Sequence, residues 1–378
     1  MHISKRDGIA VWKAWSIRLL AVLLALVVAG LVIILIGFMR GQSLNPIEVF
    51  ASMADGAFGT SSTPDIAKQN TWNMIRDTMI LTCIAIGLAP AFKMRFWNIG
   101  AEGQMLVGAV ITAYWMKFHA STLPGPLLFV VMFLTALLIG AVWGFIPALF
   151  KAYFNTNETL FTLMMNYIAM QITSIFVIKW EWKPDTSTVG VINGPRAAEA
   201  IRNRGWLGNM FSEGYNQDYG WLTLIVLLLA VGMFIYLRYT KHGYEIAVVG
   251  ESENTARYSG IRVPNVYMRT MAISGALCGF AGFLAVTAIS HTISLQTAGG
   301  RGFTAIIVAW LAKMNPFVMI LIAALLTFMS LGSVQIATQF GLNDFVAQII
   351  SGIILFFILG SEFFLNYKIC FGRKTKEV

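Results

Sequence analysis

The stretch Thr240–Arg269, TKHGYEIAVVGESENTARYSGIRVPNVYMR, is a long charged segment between two segments that are apolar enough to cross a bilayer. Its central part, residues 250–260, predicts one short helix with glycine at both ends. Pro264 follows and stops the helix, because proline lacks a backbone N–H and clashes with the preceding turn. A short helix fixed between two apolar segments is a rigid projection from the rest of the chain.

The helix predicted over residues 250–260 has side chains suited to its two ends. Ser252 or Asn254 can cap the N-terminus by accepting a backbone hydrogen bond, and Gly260 can adopt the left-handed conformation that ends a helix. Glu251 and Glu253 lie near the N-terminus, where the helix dipole favours negative charge. These features favour an ordered helix over a loose loop.

Composition places the chain among multi-pass membrane proteins. Of its 378 residues, 57% are hydrophobic and 12% are charged, and the mean hydropathy is +0.70. Soluble domains are less apolar and about a quarter charged. The net charge of +9 is first an orientation signal, since cytoplasmic loops hold the excess Lys and Arg. We therefore expect contact with membrane lipid and none with nucleic acid. Cys83, Cys278 and Cys370 have no metal spacing, so no metal site is expected.

A helix needs about 20 apolar residues to cross the hydrocarbon core. By this measure the sequence predicts an all-α polytopic membrane protein with about ten spans, the eighth of them short. We expect the first span to be a retained signal anchor, because its apolar run is longer than that of a cleaved signal peptide. The predicted spans are 17–38, 75–92, 99–116, 125–149, 158–179, 221–239, 269–290, 302–313, 317–338 and 345–366.

The charge distribution orients these spans. With the N-terminus in the cytosol, most of the 27 Lys and Arg residues fall in cytoplasmic segments, which satisfies the positive-inside rule with both termini cytoplasmic. We expect a single transmembrane domain over 1–378, with a cytoplasmic loop at 240–268 and an extracytoplasmic loop at 181–220. Residues 41–73 are rich in Ser, Thr, Asp and Pro, and are expected to be irregular.

The extracytoplasmic loop contains a possible amphipathic piece, RAAEAIRNRGWLGNMF, at 196–211. Its apolar residues Trp206, Leu207, Met210 and Phe211 cluster at the end, as in helices that lie in the membrane interface. We expect this piece to lie on the outer membrane surface. Docking of an external partner is the alternative.

Two pairs of short motifs predict an internal repeat. NIGAEGQ at 98–104 opens the third span and AGGRGF at 298–303 opens the eighth, and each has two glycines three residues apart with one charge just before the second. Asn157-Glu158 opens the fifth span and Asn343-Asp344 the tenth. The members of each pair fall on opposite membrane faces, which indicates an inverted repeat of spans 2–5 and 7–10, as in many transporters. Coincidence is the alternative, because glycine is plentiful in membrane spans.

Polar residues inside the predicted spans form a candidate pathway. Glu102 and Arg301 are costly in hydrocarbon, so each faces a wet cavity, has a partner or lies near the interface. We expect them to anchor the broken ends of spans three and eight. Positions 155, 159, 162 and 166 recur at helical spacing, and this stripe either lines the pathway or hydrogen-bonds to neighbouring helices. The candidate pathway residues are Asn98, Glu102, Gln104, Asn155, Asn157, Glu158, Thr162, Asn166, Arg301 and Phe303.

The sequence contains no nucleotide-binding loop and no catalytic constellation. The segment from Gly250 to Asn254 lacks the G-x-x-x-x-G-K-[ST] arrangement whose backbone amides and Lys hold phosphates, and the four histidines are scattered. We therefore expect no enzymatic activity and no cofactor on this chain. Any ATP and Mg²⁺ would be bound by a separate polypeptide.

Four ordered blocks resemble the permease subunits of ATP-binding cassette (ABC) importers for nucleosides and simple sugars, in the ribose and branched-chain amino acid permease superfamily. The blocks are FWNIGAEGQMLVGA (Phe96–Ala109), NETLFTLMMNYIA (Asn157–Ala169), HGYEIAVVGESENTARYSGI (His242–Ile261) and GGRGFTAIIVAWLAKMNP (Gly299–Pro316). The resemblance covers residues from about 75 to 366. The first two blocks are more similar to the nucleoside branch than to the ribose branch.

The resemblance implies a permease domain in a prokaryotic cell membrane, with three partners: a cytosolic ABC ATPase, a second permease chain, identical or paralogous, and an extracytoplasmic substrate-binding lipoprotein or periplasmic protein. It also implies that the helix around 253–259 is the coupling helix on which the ATPase docks. The residues assigned to this coupling are Gly250, Glu251, Glu253, Asn254, Arg257, Ser259 and Gly260.

The implied solute is a nucleoside or a related sugar-containing compound. Permeases for simple sugars or riboflavin share much of the same pattern and are the alternatives within the family. An ion-coupled secondary transporter that uses Glu102 or Glu158 is the alternative from another class.

Overall fold

The computed structural model is helical apart from one pair of short strands. It describes residues 2–5, 11–41, 45–60, 62–181, 188–211, 218–294, 296–341, 345, 349–350, 352–354, 356–357, 360–361 and 367–370. The helices are α1 (Val11–Met39), α2 (Pro46–Phe58), α3 (Pro64–Lys93), α4 (Ala101–Phe118), α5 (Gly125–Phe154), α6 (Glu158–Trp180), α7 (Gly220–Tyr239), α8 (Lys241–Glu251), α9 (Glu253–Tyr258), α10 (Val263–Leu284), α11 (Arg301–Leu311) and α12 (Pro316–Phe340). A π-helical segment, Ala285–Ser290, continues α10, and β1 (His2–Lys5) pairs antiparallel with β2 (Tyr367–Cys370). The predicted all-α membrane fold is confirmed.

Seven helices in the described part of the chain are long and apolar enough to span a membrane. They are Leu19–Met39, Pro64–Lys93, Gly125–Phe154, Glu158–Trp180, Gly220–Tyr239, Val263–Ser290 and Pro316–Phe340. The third predicted span holds α4, which is more polar because of Glu102, Gln104 and Lys117, and the eighth holds α11, which has 11 residues. In the tenth, 345–366, the described residues are helical as far as 361. The count of ten stays a prediction.

The chain divides into two compact units. Unit 1 comprises Met1–Met74 and Leu326–Val378, and unit 2 comprises Ile75–Leu325. In unit 1, apolar residues of α1, α2 and the second half of α12 form one buried cluster with residues beyond 345: Ala25, Ala29, Ile33, Val49, Met53, Met329, Ile336, Ala337, Ile350 and Ile354. Every candidate site residue lies in unit 2. The single domain predicted over 1–378 stays a prediction.

Residues 41–73, predicted to be irregular, contain α2 and the first turns of α3. The side chain of Asn45 caps α2 by accepting from the backbone N–H of Ile47 at 3.1 Å, and Pro46 takes the first helical position. Gly59 then ends the helix with φ at 64°. The prediction was wrong because Asn, Pro and Gly here serve as helix-terminus residues, which local composition does not distinguish from loop residues.

The core of unit 2 is built on close contact between α5 and α10. Gly140 and Gly144 of α5 face Gly275 and Gly279 of α10, and a Cβ added at Gly279 would lie 2.5 Å from the carbonyl oxygen of Ala136. This small-xxx-small spacing lets two membrane helices approach until their backbones touch. Sequence reasoning missed both motifs, although each was visible as a pair of glycines four residues apart.

The loop piece at 196–211 forms turns rather than an amphipathic helix. The indole N–H of Trp206 donates to the Ile192 carbonyl at 2.9 Å, and its ring stacks on His291 with centroids 3.6 Å apart. Arg204 donates to the carbonyl of Ala120, just after α4, at 2.8 Å. These contacts fix Trp206 within unit 2, and the position of the piece at the outer membrane surface stays a prediction.

Candidate translocation junction and coupling helix

One end of unit 2 brings together basic residues and helices α8 and α9. Lys93, the last residue of α3, donates to the Leu237 carbonyl near the end of α7 at 2.9 Å. Gly250 of α8 packs so closely on this point that a Cβ there would collide with the Lys93 carbonyl oxygen. Lys151 and Arg257 line one small cavity in the same region. Three segments assigned to the cytoplasm by their charge, at Lys93, at Lys151 and around α9, thus share one end of unit 2. The membrane face to which this end belongs stays a prediction.

Helix α9 is an exposed helix with a cap at each end. The Ser252 hydroxyl accepts from the Thr255 backbone N–H at 3.2 Å, and Gly260 adopts a left-handed φ of 77°. Within residues 253–260, Ala256 is buried and the rest are exposed, among them the coupling candidates Asn254, Arg257 and Ser259. A short, fixed helix with one buried anchor leaves most of its surface free for a second protein.

The single helix predicted over 250–260 is divided in two. Ser252 takes an extended backbone with φ at −160°, so Gly250 and Glu251 end α8 rather than begin α9. Gly250 fills a buried packing position against α3 and does not flank the exposed helix. The predicted cap at Ser252 and the left-handed Gly260 are confirmed.

A hydrogen bond ties α9 to α10, and a small cavity lies between α9 and the end of α5. The Tyr267 hydroxyl of α10 donates to Glu253 Oε1 at 2.5 Å, and Arg257 lies 3.7 Å from the other carboxylate oxygen. A cavity of about 220 Å³ lies between these elements. Its lining residues are Lys151, Ala152, Asn155, Glu253, Arg257, Val263, Pro264 and Tyr267. A displacement of α9 would therefore act directly on the first turns of α10.

The first part of the predicted polar stripe lies at this end. Asn155 adopts a left-handed φ of 49° after α5 and lines the cavity. Asn157 caps α6 by accepting from two backbone N–H groups of its first turn at 3.0 and 3.2 Å. Glu158 pairs with Lys151 at 3.1 Å. These contacts join the three residues to the region around α9, and their role in a pathway stays a prediction.

The N-termini of α4 and α11 meet inside unit 2, where Glu102 joins them. The Glu102 carboxylate is 2% exposed and accepts from the backbone N–H groups of Gly300 and Gly302, each at 2.7 Å. Helix N-termini present unpaired N–H groups and a partial positive charge, so a carboxylate is a favourable cap. A Cβ on Gly302 would lie 2.5 Å from the Glu102 nitrogen, so only glycine permits this approach. This is the geometry expected of an anchor between spans three and eight.

Helix α6 holds the start of α4 in a similar way. The Asn166 amide accepts from the Gly103 N–H and donates to the Ile99 carbonyl, both at 2.8 Å. The Thr162 hydroxyl accepts from the Ile99 N–H at 3.2 Å. Both side chains are buried. Of the two alternatives for this stripe, the geometry matches hydrogen bonding between helices at these two positions.

Asn98 and Gln104 form a third link, which reaches α10. The Asn98 side chain donates to the Ser274 hydroxyl at 3.1 Å and accepts from the Gly100 N–H at 3.0 Å. Gln104 contacts the same amide at 3.3 Å. Sequence reasoning missed Ser274, because one serine in an apolar span is a weak signal.

Arg301 is placed by an ion pair with α3. Its guanidinium lies 3.4 Å from Asp77 and also donates to the Thr297 carbonyl at 3.3 Å. Asp77 pairs in turn with Arg76 at 2.9 Å. Arg76 and Asp77 were missed, although ionisable residues at the start of the predicted span 75–92 were a usable signal.

Phe303 belongs to an exposed apolar face of α11. Phe303 is 40% exposed, Ile307 39% and Trp310 46%. The Trp310 ring stacks on Trp97 with centroids 5.0 Å apart. This face is open in the chain, whereas Glu102 and Asn166 are each hydrogen-bonded to backbone groups. Among the described residues, no group of three His, Cys, Asp or Glu could hold a metal ion.

The first motif pair of the proposed repeat is brought together and the second falls outside the described residues. Glu102 and Gly302 are in contact, so the two N-termini that open spans three and eight meet. Asn157 begins α6, but its partner motif at 343–344 is not described. The inverted repeat stays a prediction.

Comparison with known proteins identifies the family. The family model for the branched-chain amino acid transport system permease component matches residues 70–359. The chain belongs to this family. The permease is 25% identical over 386 aligned residues to a glucose ABC transporter permease protein of Haloferax volcanii, an alignment that covers 100% of this chain and 96% of the relative. No solved structure matches it.

Two further relatives of the permease have nucleosides in their names. It is 28% identical over 349 residues to a guanosine ABC transporter permease protein of Bacillus subtilis, covering 91% of this chain and 93% of the relative. It is 26% identical over 341 residues to a nucleoside ABC transporter permease protein of Lactococcus lactis subsp. cremoris, covering 88% and 90%. The resemblance drawn from the four sequence blocks is confirmed, and the permease is a multi-pass, non-enzymatic membrane subunit.

Proposed function

We propose that this permease forms the membrane pathway of an ATP-driven importer for nucleosides or related sugar-containing solutes. Permeases with guanosine, nucleosides and glucose in their names are among its relatives. The observation that carries the proposal is α9, an exposed, capped helix tied through Tyr267 to α10, which is hydrogen-bonded in turn to Asn98 before α4. The partners are a cytosolic ATPase that binds ATP and Mg²⁺, a second permease chain and an extracytoplasmic binding protein. Both termini and α9 face the cytosol.

The contacts suggest a route from α9 to the junction. A push on α9 reaches α10 through Glu253 and Tyr267, and α10 moves with α5 because their backbones touch. Ser274 of α10 bonds to Asn98, next to the start of α4. Glu102 then links α4 to α11. Packed helices with two discrete arrangements can open a pathway alternately to each side.

Two carboxylates argue for an importer over an ion-coupled carrier. The Glu102 carboxylate already accepts two backbone N–H groups at 2.7 Å. Glu158 already pairs with Lys151 at 3.1 Å. A carboxylate that carries a coupling ion needs a free coordination position, whereas both of these carboxylates already have protein partners in this structure.

Reconstitution tests the proposal. The permease is purified with a candidate ATPase and a candidate binding protein from the same organism, placed in vesicles, and assayed for uptake of radiolabelled guanosine and for ATP hydrolysis. Arg257→Glu and Gly260→Val alter the exposed face and the left-handed end of α9, so ATP hydrolysis should continue while uptake falls at least about tenfold. Arg202→Glu, on an exposed loop residue far along the chain, is the matched control and should keep wild-type uptake. Normal uptake by both α9 variants contradicts the proposal, and ATP-independent uptake by the permease alone establishes the carrier instead.

Glucose is the second candidate solute, because the glucose permease of Haloferax volcanii aligns with the whole chain. Competition between labelled and unlabelled solutes in the same vesicles distinguishes a nucleoside from glucose as the transported solute. If the solute is a nucleoside, unlabelled adenosine or uridine should displace guanosine uptake and glucose should not. The reverse pattern, with labelled glucose transported, assigns the sugar.

A further inference from the structure

A wholly apolar groove opens between α5 and α6, with α4 as its floor. Its volume is about 500 Å³, within the range of small-molecule sites. The lining residues are Val107, Val110, Ile111, Tyr114, Ile139, Val142, Trp143, Ile146, Ile172, Phe176 and Trp180. The polar atoms of Tyr114, Trp143 and Trp180 contribute almost nothing to the groove's surface, so it cannot orient a polar solute and is separate from the candidate pathway at Glu102.

The groove runs along the helices toward one end of α4. On α4 its lining extends from Val107 to Tyr114, and on α6 from Ile172 to Trp180, which at a rise of 1.5 Å per residue is roughly 10 to 12 Å. Aromatic rings close this end: the centroid of Trp180 lies 4.9 Å from Phe176 and 6.1 Å from Tyr114. Trp and Tyr concentrate at the membrane interface, so the groove runs from headgroup level into the acyl region.

A basic rim borders the aromatic end. Lys117 of α4 donates to the Trp180 carbonyl at 3.2 Å, and Lys179 is exposed beside it. One acidic residue, Glu181, follows Trp180. The two ammonium groups give the rim a net positive charge that suits a phosphate.

The walls of the groove do not suit a second copy of the chain. Exposed residues beside it are large and branched: Leu138 is 62% exposed, Ile175 52% and Ile178 62%. Membrane helices associate through small residues, and the glycines of α5 are already used against α10. Large aliphatic side chains at hydrocarbon depth are typical of a surface that faces lipid.

We propose that this groove binds one acyl chain of an anionic phospholipid whose phosphate lies at Lys117 and Lys179. The chain fills the apolar space between α5 and α6, and the aromatic cluster marks the glycerol level. The site stabilises the splayed arrangement of these two helices. It does not depend on which solute the permease carries.

Native mass spectrometry of the detergent-purified permease tests the site, with phosphatidylglycerol and phosphatidylcholine of identical acyl chains as probes. Val142→Trp fills the groove from its wall, and Ile172→Trp does so from the opposite wall; Leu138→Trp, one turn away on α5 and outside the lining, is the matched control. Lys117→Gln removes charge from the rim. Gel filtration selects folded protein for every variant.

Wild type and Leu138→Trp should retain phosphatidylglycerol over phosphatidylcholine, while both filling variants lose the retained lipid. Lys117→Gln should reduce the preference by about fivefold and leave phosphatidylcholine binding unchanged. Unchanged lipid retention in both filling variants overturns the proposal. Loss of a permease dimer in those variants, with lipid retention intact, overturns it in favour of an interface between copies.

Discussion

At the scale of single residues, one carboxylate joins two helices that are far apart in the sequence. Glu102 accepts from Gly300 and Gly302, 198 and 200 residues away, and is nearly inaccessible to solvent. A buried ionised group is tolerated when hydrogen bonds replace its hydration, and a helix N-terminus supplies them without another charged side chain. Asn166 does the same for α4 with a neutral amide. Polar residues here position helix ends.

Glu102→Gln should destabilise the permease by about 1 to 3 kcal/mol and abolish transport. The amide has one acceptor oxygen, so one of the two backbone N–H groups of α11 loses its partner inside the protein. Thermal unfolding in detergent and uptake in vesicles measure the two effects. Glu199→Gln, on the exposed loop, is the control that keeps both at wild-type values. A Glu102→Gln variant with unchanged melting temperature and uptake would show that the cap is dispensable.

The stability of the permease should fall in acid because of His291. Burial lowers the pKa of His291 from the ordinary value of 6.5 to about 4, and its ring stacks on Trp206. The native state keeps this ring neutral, whereas the unfolded chain binds a proton below about pH 6.5. The contribution of neutral His291 to the free energy of unfolding is therefore complete above pH 6.5. It is lost as the pH falls toward 4.

Between pH 7 and pH 5 this loss amounts to about 2 kcal/mol. Melting temperatures of wild type and His291→Gln, measured at both pH values in one detergent, reveal it. The variant should be less stable at pH 7 but should lose less stability on acidification. Equal losses in both proteins would assign the acid sensitivity to other groups.

At the scale of elements, α9 depends on neighbours rather than on its own length. A helix of six residues is unstable alone, so its caps, the buried Ala256 and the Tyr267 hydroxyl fix it in place. Helices α5 and α10 are held against each other in a different way, because glycines on both helices let their backbones touch. Helix α9 is therefore held by side-chain contacts at its ends, and α5 and α10 by direct contact of their backbones.

Tyr267→Phe should weaken coupling without removing the permease from the membrane. The variant keeps the ring against Phe96 but loses the hydrogen bond to Glu253, so α9 can shift without moving α10. We expect uptake per ATP hydrolysed to fall several-fold at wild-type abundance. Tyr167→Phe on α6, whose side chain is 61% exposed and lies outside α9, is the matched change and should keep the wild-type ratio. If both variants showed the same uptake per ATP hydrolysed, the hydrogen bond between Tyr267 and Glu253 would have no part in coupling.

Gly279→Ala should destabilise the permease by about 1 to 3 kcal/mol or more, because the added methyl meets the Ala136 carbonyl at 2.5 Å and forces the backbones apart. Gly232→Ala in α7 is the control, since its Cβ would meet nothing within 4 Å. That change should stabilise helix α7 by about 0.5 to 1 kcal/mol. Thermal unfolding and expression level measure both. Similar stability in the two variants would contradict backbone contact between α5 and α10.

At the scale of the whole molecule, the two ends of unit 2 have different characters. One end holds Lys93, Lys151 and α9, and the other holds the ordered loop around Trp206. The positive-inside rule assigns the first to the cytosol. The junction at Glu102 lies between them.

Cysteine labelling checks this orientation. In a chain with Cys370→Ser, Ser259→Cys on α9 should react with a membrane-impermeant maleimide only in inverted vesicles, and Ala198→Cys on the loop only in right-side-out ones. Cys83 and Cys278 are buried and should remain unlabelled. Labelling of both new cysteines from the same face would overturn the topology.

The sequence alone determined the membrane class, the family and the glycine that ends α9, because each rests on local information: apolar runs, ordered motifs and a capping residue. It placed Glu102 and Arg301 as anchors of broken helices but could not name their partners. Only the tertiary structure decided that Glu102 caps α11, that Asn166 holds α4, and that Ser252 splits the predicted helix. Almost every residue has a backbone N–H, so the residue type does not reveal which one bonds to Glu102 or Asn166. The glycines that permit such close contacts are likewise indistinguishable in the sequence from the many other glycines in the chain.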